Sequence, residues 1–114
     1  MIWRKKDTDN STSDLPSLSR KEALILEMLV SGRRELYGLE MVDASNGELK
    51  RGTIYVTLQR LQEKGLIESR QEARTAPEIG IPRRLYQITG LGQRVWKANQ
   101  AALSAFEIAM DTVN

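Results

Sequence analysis

The run Lys50-Arg51-Gly52-Thr53-Ile54-Tyr55-Val56-Thr57-Leu58-Gln59-Arg60-Leu61-Gln62-Glu63-Lys64-Gly65-Leu66-Ile67 constrains this chain more than any other. At about 100° per residue, Ile54, Leu58 and Leu61 line one side of a helix, and that side must face a core. Thr53, Val56, Thr57, Arg60 and Lys64 fall on the other side, an outer face of basic and hydroxyl groups. Gly65 sits where a left-handed residue ends the helix, and an apolar-led strand follows at once. A short helix with a buried back and a basic front, running into a hairpin, suits insertion into a DNA major groove. The same pattern also suits an amphipathic surface helix with solvated charges, so the neighbouring segments must decide.

Charge leans the same way once it is divided along the chain. Residues 1–49 carry a net −2, residues 50–94 a net +5 and residues 95–114 a net −1, within a total of +2. A local excess of this kind favours a polyanionic partner. The chain has no Cys and no His. Disulfides, thiolate or imidazole metal sites and His-based catalysis are therefore excluded, and no cofactor is expected. No phosphate loop or nucleophile–base pair points to an enzyme. No apolar run approaches the roughly 18 residues of a membrane span. The basic start, Met1 to Lys6, lacks the apolar core of a secretion signal, so a cytoplasmic location is expected.

The 114 residues suffice for one domain with a modest core. Residues 1–18 read as a disordered N-terminal arm, because Asp7-Thr8-Asp9-Asn10-Ser11-Thr12-Ser13-Asp14 offers nothing apolar to offset the entropy of ordering. Ile2-Trp3 before Arg4-Lys5-Lys6 suits either a solvated terminus or an arm that seeks a DNA groove. Ser19-Arg20-Lys21-Glu22 is a capping box that opens a first helix running to about Ser31, with Gly32 as its stop. Ala23 to Val30 is apolar nearly all round, which hints at burial on two sides and at a partner chain meeting Leu26. A second helix covers Tyr37 to Ala44, with Asn46-Gly47 as the turn. The outward helix spans about Arg51 to Lys64. A strand near Leu66 to Glu72 and a return strand near Arg83 to Ile88 flank a loop carrying Pro77, Gly80 and Pro82.

Helix, helix, helix, hairpin is the order of a winged helix-turn-helix, placed at residues 19–88. The expected fold is mostly α with a small β-hairpin, followed by a C-terminal dimerisation helix at 89–114 with Thr89 as N-cap. Trp96, Asn99, Leu103, Phe106, Met110 and Val113 recur at alternating intervals of three and four, a coiled-coil seam with one polar position. A helix of about 25 residues spans roughly 37 Å, longer than so small a core, which favours pairing between chains. Packing of that helix on its own domain is the alternative.

These motifs, in this order, resemble the PadR-like family of winged-helix transcriptional regulators over about Leu18 to Leu103. The resemblance is carried by Gly52-Thr53-Ile54-Tyr55 with Leu58, Leu61 and Gly65-Leu66, by Tyr37-Gly38-Leu39-Glu40, and by Pro82-Arg83-Arg84-Leu85-Tyr86-Gln87-Ile88-Thr89 with Gly92. Tyr37 stands where the family often has His, and the tip Thr75 to Ile81 is long and not basic. The single short last helix is similar to the family's compact branch. In some members of that branch the paired last helices enclose a pore for flat aromatic molecules lined by tryptophan. Trp96 lies on the matching helix, where it is either a core or interface residue or a platform for a planar aromatic ligand.

The resemblance implies a homodimeric, sequence-specific regulator of double-stranded DNA, more often a repressor. Arg60 is the expected guanine reader, Thr53 and Thr57 hydrogen-bond bases, and Val56 touches a thymine methyl. Lys50, Arg51, Lys64, Arg70, Arg74, Arg83 and Arg84 are expected on phosphates. Tyr55 divides between core and DNA backbone. The rival reading keeps the winged helix as a protein-interaction adaptor that does not bind DNA.

Overall fold

The computed structural model describes residues 17–32, 35–72 and 83–113, the last three without their side chains. The arm from Met1 to Pro16, Arg74 and the tip from Thr75 to Ile81 lie outside the described residues. Four helices and a three-stranded sheet follow one another: α1 (Arg20–Ser31), β1 (Leu36–Tyr37), α2 (Gly38–Ala44), α3 (Ile54–Glu63), β2 (Ile67–Gln71), β3 (Arg84–Ile88) and α4 (Gly90–Val113). This is a winged helix-turn-helix with a long final helix.

The local signals act where the chemistry requires. Glu22 N donates to Ser19 Oγ at 3.1 Å while Ser19 N donates to Glu22 Oε1 at 3.0 Å, closing the capping box of α1. Asn46 (φ 53°) and Gly47 (φ 91°) take left-handed backbone between α2 and α3, and Gly65 (φ 77°) takes it after α3. Ser45 braces the first of these turns, donating from Oγ to Val42 O and accepting from Leu49 N at 2.9 Å.

One core joins every element except the far half of α4. Ile25, Leu26 and Leu29 of α1, Met41 of α2, Ile54, Leu58 and Leu61 of α3, then Leu66, Ile67, Tyr86 and Val95 are all buried together. Each fully buried aliphatic side chain contributes roughly 1.5–3 kcal/mol relative to exposure. Leu26 corrects the expectation of an interface role: it has no exposed surface and lies inside its own domain. Helix α1 packs against α3, the sheet and α4, while Leu24 and Met28 are only partly buried and Val30 is exposed.

The hairpin is part of a larger sheet. β1 pairs antiparallel with β3 through Leu36↔Tyr86 and Tyr37↔Leu85, and β2 pairs with β3 through Ile67↔Ile88 to Gln71↔Arg84, giving the order β1-β3-β2. Register partners share a face of the sheet. Ile67, Ser69 and Gln71 therefore stand with Ile88, Tyr86 and Arg84 on the core side, whereas Arg70 stands with Leu85 and Tyr37 on the opposite side.

Where α4 begins, Thr89 Oγ1 accepts from Gly92 N at 2.9 Å, as an N-cap does. Leu91, Val95 and Trp96 pack on the core. From Gln100 to Met110 every side chain is exposed, including Leu103, Phe106, Ile108 and Met110. No helix among the described residues is long and apolar enough to cross a membrane.

Candidate nucleic-acid interface

Helix α3 has a back and a front, and the sequence periodicity assigns both. Ile54, Leu58 and Leu61 are buried, while Tyr55, Val56, Gln59, Arg60, Gln62 and Glu63 are exposed. Val56 and Tyr55 keep 52% and 49% of their surface open to solvent, a large fraction for such apolar groups. Just before the helix, Lys50, Arg51 and Thr53 are exposed as well. Lys50, Arg51 and Arg60 make no ion pair with any described residue. Three uncompensated cations thus bracket an apolar patch on one projecting helix.

Thr57 does not join them. It is 8% exposed, and its hydroxyl donates to Thr53 O at 3.3 Å, satisfying itself on the preceding turn of its own helix. The expectation that Thr57 faces outward is thereby corrected. Gln59, by contrast, was not singled out in the sequence because it carries no charge. It lies between Tyr55 and Glu63 on the exposed face, with Nε2 donating to Glu63 Oε2 at 3.3 Å.

Tyr55 owes its position to a glycine. A Cβ at Gly38 would approach Tyr55 Cε1 to 2.8 Å, so the phenol ring lies against the bare backbone at the start of α2. This contact explains why Tyr37-Gly38 and Ile54-Tyr55 occur together. Tyr37 is held from the other side. Its hydroxyl donates to Glu72 Oε2 at 2.6 Å, and the Arg83 guanidinium lies 4.2 Å from its ring centroid. The hydrogen bond to Glu72, reinforced by burial, raises the phenol above its ordinary pKa. An open groove of about 700 Å³ runs between these parts, bounded by Tyr37, Gly38, Tyr55, Arg83, Arg84 and Tyr86.

Several of the expected phosphate ligands are already engaged. Lys64 Nζ donates to both oxygens of Glu22, at 2.9 and 3.0 Å, and to Ser17 O at 3.1 Å. It is a brace between the end of α3 and the start of α1, which corrects its placement on the outer face. Arg70 forms a two-pronged pair with Glu35, both distances 2.9 Å, on the sheet face turned away from the core. That hydrogen-bonded pair holds the Glu35 carboxyl below its usual range. Arg83 pairs with Glu72 at 3.4 Å. Arg84, on the core-side face of β3, is exposed and donates to Ser69 Oγ at 2.9 Å; Ser69 in turn donates to Gln62 of α3. Of the hairpin arginines within the described residues, Arg84 is the one not tied to a carboxylate.

The residues expected between chains separate by depth. Trp96 is half-buried against the core with its indole Nε1–H enclosed, and Asn99 is half-buried beside it. Leu103, Phe106 and Met110 stand open to solvent, and the side chain of Val113 is outside the description. No group of His, Cys, Asp and Glu among the described residues is arranged to hold a metal ion.

Comparison with known proteins agrees with this geometry. In fold, the chain is similar to a PadR-like transcription factor from Bacteroides fragilis, with TM-score 0.70 and 21% identity over 82% of this chain and 89% of that one. It is likewise similar to a PadR family transcription regulator from Clostridium difficile R20291, with TM-score 0.68 and 24% identity over 83% and 98%. A third similar structure is a PadR family transcriptional regulator from Eggerthella lenta DSM 2243, with TM-score 0.66 and 23% identity over 82% and 83%. No curated protein matches the chain in sequence. The transcriptional regulator PadR-like family matches residues 25–98, which run from the core of α1 through α3 to the first turns of α4. The chain belongs to the PadR-like family of transcriptional regulators.

Proposed function

We propose that this chain is a homodimeric, sequence-specific repressor that reads double-stranded DNA with α3. The observation that carries the reading is the exposed face of α3, on which Tyr55, Val56, Gln59 and Arg60 project while Ile54, Leu58 and Leu61 anchor the helix. A major groove admits one helix and rewards this mixture of groups. Arg60 supplies a two-pronged donor for guanine, Gln59 a donor–acceptor pair for adenine, and Val56 a methyl surface for thymine. Lys50, Arg51 and Thr53 lie where the backbone passes the start of the helix, with Arg84 on the strand beside it, and these take phosphates. Thr57, Lys64 and Arg70 are left out of this set, because each is buried or paired within the protein.

The dimer half of the proposal rests on the far half of α4. Leu103, Phe106 and Met110 are exposed along one face of a 24-residue helix, a stripe of large apolar groups that water disfavours. Pairing the helices of two chains removes that surface and places two copies of α3 about one helical turn of DNA apart, roughly 34–36 Å. Occupying such a site in a promoter blocks transcription, the outcome proposed here. Trp96 is assigned to packing at the base of this interface rather than to a planar ligand, because its indole Nε1–H is enclosed. The adaptor alternative gains no specific support from the fold.

Gel shift against duplexes selected from a random-sequence pool tests the proposal. Retention of selected duplexes with two chains per duplex supports it. No retention at low salt contradicts it.

A further inference from the structure

The end of the recognition helix is tied to both other long helices through three consecutive residues. Lys64 reaches Glu22 and Ser17 O at the start of α1. Gly65 O accepts from Thr89 Oγ1 at 2.7 Å, and Leu66 O accepts from Thr89 N at 3.0 Å. The same Thr89 hydroxyl accepts from Gly92 N and so caps α4. Gly92 leaves no space at the joint: a Cβ there would overlap Leu66 O and crowd Ile88. One threonine therefore holds the two carbonyls of the turn that follows α3 and caps the first turn of α4, at a crossing where backbone meets backbone.

From this arrangement we infer that Thr89, with Gly92, is a positioning residue that fixes the angle between α3 and α4 and thereby sets which half-site spacing the dimer accepts. The inference rests on the homodimeric reading above. In a dimer paired through α4, the separation of the two recognition helices is measured from the shared helices outward, and the path runs through this joint. An angular change at Thr89 is multiplied by the distance out to α3. The contacts that read bases lie elsewhere on α3 and are not altered by it. Thr89 thus acts on spacing and leaves base preference untouched. It is only partly buried, so removing its hydroxyl leaves the core intact.

The test uses the full chain and duplexes that the wild type selects from a random-sequence pool, remade with the half-sites moved apart or together by a base pair or two. Wild type, Thr89→Val, Thr89→Ala and Thr89→Ser are compared by titration, with mass in solution measured in parallel. Valine keeps the shape and loses both hydrogen bonds of the hydroxyl, alanine loses shape as well, and serine keeps the hydroxyl. The expected result is that Thr89→Val and Thr89→Ala stay dimeric and keep their preferred bases, while their preference for the selected spacing falls about five- to tenfold. Thr89→Ser is expected to retain it. Unchanged spacing preference in a folded, dimeric Thr89→Val or Thr89→Ala overturns the inference, as does equal loss in Thr89→Ser. A wild type that is monomeric, or that shows no spacing preference, overturns the dimeric reading itself and is seen before any variant is made.

Discussion

Helices α3 and α4 are both amphipathic, yet they stand in opposite relations to the core. Helix α3 turns its apolar side, Ile54, Leu58 and Leu61, inward and shows water Arg60, the amides of Gln59 and Gln62, Glu63 and two half-exposed apolar groups. The far half of α4 has no core beneath it, and Leu103, Phe106 and Met110 are exposed to water. The contrast shows what each helix is incomplete without. The front of α3 leaves Lys50, Arg51 and Arg60 without counter-charge, which DNA supplies in the function proposed above. The far half of α4 leaves Leu103, Phe106 and Met110 uncovered, which a second copy covers in the proposed dimer.

Two substitutions separate these relations most sharply. Leu58→Ala removes a side chain that is 1% exposed, and chemical denaturation should show a loss of about 2–5 kcal/mol. Phe106→Asp, at 63% exposure, should leave the domain's own stability within about 0.5 kcal/mol. It should nevertheless convert the dimer to monomer in sedimentation, because it places two like charges in an apolar seam. A domain that unfolds with Phe106→Asp would mean that α4 is needed by its own chain rather than by a partner.

The brace between α3 and α1 comes next in size. Lys64→Met leaves the buried Glu22 carboxylate with only its Ser19 amide, at a cost of about 1–3 kcal/mol in thermal or chemical denaturation. Were Lys64 a phosphate ligand instead, stability would hold and the salt dependence of DNA binding would flatten. That flattening is expected at Lys50 and Arg51: each change to Ala should weaken binding to all sequences alike and lower the slope of log K against log salt by about 0.9.

The smallest effect separates the paired surface from the unpaired one by pH. The Glu35 and Glu48 carboxyls are held below their ordinary range, each chiefly by a hydrogen bond from an arginine, Arg70 and Arg20 respectively. A depressed folded-state pKa contributes stability above the unfolded value, and that contribution disappears as pH falls through the folded value. Melting temperature should therefore decline slightly as pH drops below the ordinary carboxylate range, near 4. Combining Glu35→Gln with Glu48→Gln should remove that part of the decline. Glu48 is exposed and Glu35 is half-buried beside an exposed Arg70, so high salt should reduce the difference.

What the sequence revealed was whatever depends on neighbours a few residues apart. The Ser19–Glu22 box, the turn at Asn46-Gly47, the left-handed Gly65 and the Thr89 cap are all short-range devices, and each is legible from spacing. The 3.6-residue period likewise located the buried back of α3. Hidden were the features decided by distant partners. Strand β1 has two residues and no alternation to show, and it exists because β3 offers an edge. Lys64 reads as part of a basic face until Glu22, 42 residues earlier, arrives beside it. Arg70 reads the same way until Glu35 folds against it. Thr57 is polar by type, yet it satisfies its own hydroxyl on the helix and becomes core. The candidate interface was thus legible as a helix and a face, with its membership settled by packing.

Arg60→Ala decides whether the exposed face of α3 reads bases, as proposed. The quantity to measure is the ratio of affinities for a selected duplex and a scrambled one at a single salt concentration. Base reading by Arg60 requires that the ratio fall by the equivalent of about 1–3 kcal/mol, with relaxed preference at one base position. Equal weakening on both duplexes would contradict it, leaving Arg60 as one more charge near the DNA backbone.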